Sequence, residues 1–75
     1  MPHFYFDIED GDGLVTDERG LCVQGSREAE AEALTTLGEI IRDIAASGGL
    51  SFVCIHVSDS ERRPLFRATT RIERL

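Results

Sequence analysis

The stretch from Ser26 to Ser47, SREAEAEALTTLGEIIRDIAAS, constrains this chain more than any other. Ala29, Ala33, Leu37, Ile40, Ile41 and Ile44 recur at spacings of three and four, which a helix gathers into one apolar stripe. Glu28, Glu32, Glu39, Arg42 and Asp43 fall mostly on the opposite side. Ser26 reads as the N-cap, its hydroxyl accepting from a first-turn amide. A strict capping box is ruled out because Ala29, not Glu or Gln, stands three residues on. Glu28, Glu30 and Glu32 suit the positive end of the helix dipole, and Gly48-Gly49 supplies a left-handed stop. Gly38 interrupts the pattern at a cost of about 1 kcal/mol relative to Ala, and is read as a close approach by another backbone or a bulky side chain. A helix with one apolar stripe needs a complementary surface, and the rest of the chain has to provide it.

That surface is written as strands. In residues 3–9, Phe4, Phe6 and Ile8 alternate with His3, Tyr5, Asp7 and Glu9, the pattern of a half-buried strand. Asp10-Gly11-Asp12-Gly13 is turn chemistry. A return strand starts at residues 14–16, is interrupted over 17–20 and resumes at 21–24, giving an irregular hairpin. After the helix, residues 51–58 alternate Val53, Ile55 and Val57 with Phe52, Cys54 and His56, both faces partly apolar, as expected of a central strand. Residues 59–64 read as a turn and 65–72 as the last strand, Phe66, Ala68, Thr70 and Ile72 opposing Leu65, Arg67, Thr69 and Arg71. The order is ββαββ, one α+β domain over residues 1–75 with a single helix on one face of an antiparallel sheet. The helix stripe is expected to pack on Phe4, Phe6, Val53, Ile55, Phe66 and Ala68.

At 75 residues with two cysteines, such a chain buries only about 60% of its unfolded surface and has no disulfide framework, so marginal stability or homo-oligomerisation is expected. The net charge is −6, carried with eight arginines and no lysine. This acidity argues against nucleic acid and anionic membrane as partners. The charge is uneven: residues 59–75 are mildly basic on an acidic body. The opening MPHFYFDIED lacks the basic-then-apolar order of a signal peptide, and no apolar run approaches a membrane span. A cytoplasmic location with reduced thiols is the expectation.

Three groups of residues carry possible chemistry. Asp7, Glu9, Asp12 and Glu18 partly imitate the ligand spacing of an EF-hand loop, but Asp12 stands where that loop needs glycine and a strand precedes it; a solvated turn is the expected reading. Cys54 and His56 share a strand face, and His3 faces outward from the first strand, a set that zinc or thiol chemistry could use. No CxxC or HxxxH spacing supports that use, and a lone strand thiol usually packs. Tyr5 and Phe52 with Arg67 and Arg71 resemble the stacking platform of an RNA-binding sheet, against which stands the overall acidity. No catalytic residue, cofactor or metal is assigned.

The aromatic first strand, the D-G-x-G-x-x-x-D-x-x-G segment from Asp10 to Gly20, the Ala/Glu-rich helix and the closing hairpin together resemble a family of short bacterial proteins known as a domain of unknown function. That resemblance implies a small conserved fold and names no activity or ligand. Separately, Cys22-Val23-Gln24-Gly25-Ser26 followed by Glu28-Ala29 and Glu32-Ala33 is similar to the strand-into-helix passage of HicB-type antitoxins.

The expected function is a non-enzymatic interaction module, homodimeric or bound to another protein. Its interface is drawn from Tyr5, Phe52, Cys54, His56, Leu65, Arg67 and Arg71 on the sheet face the helix leaves bare, with exposed edge strands as a second route. Arg67 and Arg71 would meet Asp7 or Glu9 of a second copy. An antitoxin-like or RNA-associated regulator is the alternative. An enzyme ranks third, because so small a chain with one helix seldom builds a converging pocket alone.

Overall fold

The computed structural model describes residues 1–48, 52–73 and 75. Its elements are β1 (His3–Asp10), β2 (Gly13–Val15), β3 (Leu21–Cys22), α1 (Ser26–Ser47), β4 (Phe52–Ser58) and β5 (Pro64–Arg71). All strand pairings are antiparallel, in the order β2-β1-β4-β5, with β3 beside β2 on the same edge of β1. The irregular hairpin is therefore one return passage in two pieces. β2 pairs with the end of β1 (Ile8↔Val15) and β3 with its start (Phe4↔Leu21). Ser51 and Gly49, assigned above to strand and helix stop, lie outside the described residues.

Asp17 explains the break. One of its carboxylate oxygens accepts from the Phe6 amide at 3.0 Å, and the other from the Arg19 and Gly20 amides at 3.1 and 2.9 Å. A side chain thus replaces the missing ladder between β2 and β3, and backbone amides stay satisfied. Gly20 closes the segment with φ +70°, where a Cβ would stand 2.6 Å from the Phe4 carbonyl oxygen; only glycine fits.

The helix runs over the expected residues, with two differences at its details. Ser26 is its first residue and not the cap; Gly25, in an extended conformation, holds that position with no side-chain hydrogen bond. The serine hydroxyl sits one residue too far along to reach the free amides in the N-cap manner. Gly38 is exposed, and a Cβ there would meet nothing within 4 Å, so no close approach demands it. Gly48 ends the helix in the left-handed conformation, its amide bonded to the Ile44 carbonyl at 2.7 Å.

The core is the expected one. Ala29, Ala33 and Leu37 are buried against Phe4, Val53, Ile55 and Val57, with Phe6, Ile40, Ile41, Ile44, Phe66 and Ala68 packed around them. The helix rests on β4 and β5. Small residues at 29 and 33 let it come close to the sheet, where Ile55 is fully buried. On the same side of the sheet, Phe6, Ile8 and Val15 line an open groove.

Candidate functional site

Alternation along the strands carries Tyr5, Asp7 and Glu9 of β1, Cys54 and His56 of β4, and Arg67 and Thr69 of β5 to the face away from the helix. Register then sets the neighbours: Glu9 opposes Cys54, Asp7 opposes His56, and on the other side Thr69 opposes Cys54 and Arg67 opposes His56. The expected interface residues do not form one exposed apolar patch. Cys54 is buried at 5% exposure, and Tyr5 is half-buried, whereas Leu65, Arg67 and Arg71 on β5 are exposed. Phe52 is half-buried and lines a small apolar cleft with Ile41, Ile44 and Ala45 at the end of the helix.

Arg62 is what covers Tyr5. It sits in the β4–β5 turn with φ 65°, a left-handed backbone unusual for a long side chain. Its guanidinium lies 3.7 Å from the centroid of the Tyr5 ring, bonds Asp7 at 3.2 Å and donates to the Asp17 carbonyl. The turn itself is held by Asp59, whose carboxylate accepts from the Glu61 and Arg63 amides and pairs with the Arg63 side chain. The Arg63 amide is the leading influence that holds the Asp59 carboxyl below its ordinary range, over a smaller desolvation effect of opposite sign. For Asp17, desolvation is the largest single influence and pushes its pKa upward. The amides of Gly20, Phe6 and Arg19 with the charge of Arg62 together outweigh it, so this carboxyl also titrates low.

The acidic residues of the first hairpin are distributed among separate tasks. Asp7 accepts from the Asp17 amide and Arg62, Asp10 accepts from the Asp12 amide, and Glu9 turns to His56. The solvated-turn reading of this loop fits those bonds, and Asp17, absent from the proposed ligand spacing, is its organising residue.

His3 does not join Cys54 and His56. The register places it opposite Cys22, at the far end of β1 from Glu9. Its Nε2 lies 2.7 Å from the Arg19 carbonyl oxygen and its Nδ1 3.2 Å from Cys22 Sγ. A carbonyl can only accept, so in the neutral ring Nε2 carries the proton and Nδ1 accepts from the thiol. Near Cys54 the third group is Glu9: one ligand atom from each of Glu9, Cys54 and His56 lies within 4.8 Å of the other two. His56 Nε2 stands 2.8 Å from Glu9 Oε1, and Thr69 donates its hydroxyl to Cys54 Sγ at 3.2 Å. Sequence reasoning missed Glu9 because only the pairing of β1 with β4 brings residues 9 and 54 together.

Residues 3–71 match the family described as Domain of unknown function (DUF6894). The chain belongs to this family. No curated protein and no solved structure matches it. The DUF6894 match spans every strand and the helix, so the Asp17-centred hairpin and the outer face both lie within the family region. Among the described residues no helix is long and apolar enough to cross a membrane.

Proposed function

We propose that this domain is a non-enzymatic interaction module that pairs with a second copy of itself along β5. The observation that carries the reading is the edge itself: β5 is eight residues long and its sheet partner is β4, on one side. The opposite side offers amides and carbonyls to another strand. Exposed apolar side chains flank that edge. Leu65 is 46% exposed on β5, and Leu34 of α1 is 54% exposed above a groove that it shares with Leu37, Phe66 and Ala68. A helix from a second copy would cover Leu34 while the two β5 strands pair.

Charged side chains on edge strands oppose such pairing, and β5 carries Arg67 and Arg71. An antiparallel register centred on Ala68 removes the conflict, since Arg67 then faces Thr69 and Arg71 faces Leu65 of the second copy. Glu30, on the same groove, supplies the opposite charge. The RNA-associated alternative loses support from the position of Arg62, which occupies the ring face of Tyr5 that a base would stack on.

Light scattering at micromolar concentration should give a mass near twice 8.3 kDa. Leu34→Glu, at an exposed position, should return it to the monomer mass with the circular dichroism spectrum unchanged. A parent protein that stays monomeric at high concentration, or a dimer indifferent to Leu34→Glu, overturns pairing at this edge.

A further inference from the structure

Glu9, Cys54 and His56 are an oxygen, a sulfur and a nitrogen donor held on three adjacent positions of one sheet face, and they come from the two most interior strands. Bonds of about 2.0–2.3 Å in tetrahedral geometry place zinc ligands roughly 3.3–3.8 Å apart. The three atoms already lie within 4.8 Å of each other, with one pair at 2.8 Å, a spacing that brackets the one zinc requires.

We infer that these three residues form a binding site for a divalent transition metal of the zinc type, with a fourth position left to solvent. Several features of the surroundings suit the assignment. The donor set mixes thiolate, imidazole and carboxylate, which zinc accepts and calcium or magnesium does not. The Thr69 hydroxyl donates to the sulfur, an outer hydrogen bond of the type that orients metal ligands. Solvent reaches two of the three ligands: His56 lines an open cleft of about 730 Å³ together with Asp7, Leu65 and Arg67, and the His56 and Glu9 side chains are 38% and 44% exposed. The local charge is favourable as well. Asp7 is already paired with Arg62, and Arg67 opposes a cation from β5, yet the Glu9 carboxylate and the Cys54 thiolate bring two negative charges to it. Binding forms the metal–sulfur bond as the thiol proton leaves to solvent. It also replaces the direct Glu9–His56 contact by bonds of both groups to the ion.

The site lies on the sheet face, not on the edge used for self-association, so the two readings stand or fall separately. The test is a titration of the metal-stripped full chain with Co²⁺, whose thiolate complexes absorb in the near ultraviolet, followed by displacement with Zn²⁺. One equivalent of Co²⁺ should produce the thiolate band, and Zn²⁺ should abolish it. Cys22→Ser and His3→Gln should keep the band, whereas Cys54→Ser should lose it. Because Cys54 is buried, its variant could fail to fold. His56→Gln and Glu9→Gln, both at half-exposed positions, provide the second arm: each should keep the native circular dichroism spectrum and weaken Co²⁺ at least about tenfold. Absence of a band, a band that survives Cys54→Ser, one that disappears with Cys22→Ser, or affinities unchanged in both folded variants would each overturn the site.

Discussion

Asp17 shows how much of this structure hangs on one side chain. It receives three amides from two segments that no regular ladder joins, and the Arg62 that crosses the outer face donates to its carbonyl. Asp17→Asn keeps the shape but replaces an acceptor oxygen by a donor that must face an amide. The variant should lose about 1–3 kcal/mol at neutral pH, read from urea unfolding. Acid adds a second signature. The folded pKa is lowered from 3.8, so on acidification the unfolded chain takes up the proton first. The carboxylate's contribution is complete above the unfolded pKa and declines as pH falls through the lower folded value. The gap between parent and variant should therefore narrow as pH falls through and below the ordinary carboxylate range; a constant gap would show that Asp17 is not held ionised by the fold. The sequence marked this residue only as the start of an interruption in the return strand, because its partners Phe6 and Arg62 are remote along the chain.

At the scale of elements, two adjacent helix positions separate burial from propensity. Leu37 is 6% exposed in the core, and Leu37→Ala should cost about 2–5 kcal/mol through lost burial and a residual cavity. Gly38 is exposed with open space where a Cβ would go. Gly38→Ala should raise stability by up to about 1 kcal/mol, since alanine loses less backbone entropy in a helix. Thermal melts of the two variants should move in opposite directions from the parent. A stabilised Leu37→Ala would place the wrong residues in the core, and a destabilised Gly38→Ala would restore a packing role to that glycine. The stripe from Ala29 to Ile44 was legible because a period of 3.6 needs no tertiary information. The purpose of Gly38 was not, since a glycine gives the same signal for a tight contact and for none.

For the whole molecule, one helix resting on β4 and β5 leaves Phe6, Ile8 and Val15 along an open groove on the same side, and little core remains to offset chain entropy. Self-association would make stability depend on concentration by mass action. The melting temperature should rise steadily between low and high micromolar protein, and that rise should vanish in Leu34→Glu. A melting temperature independent of concentration over that range would leave the chain folding on its own core alone.

Local pattern determined the α+β class, the helix from Ser26 to Ser47, the alternation of each strand and the sorting of Phe4, Phe6, Val53, Ile55, Phe66 and Ala68 to the helix side. Each of these follows from a periodicity that adjacent residues set among themselves. The tertiary structure decided which strands are neighbours, and with them the outer face. It set Glu9 beside Cys54 and His56, sent His3 to Cys22 instead, and drew Arg62 over Tyr5. Strand order and register arise from burying one apolar face of the whole sheet at once. A contact between residues 9 and 54 therefore leaves no trace in the sequence around either.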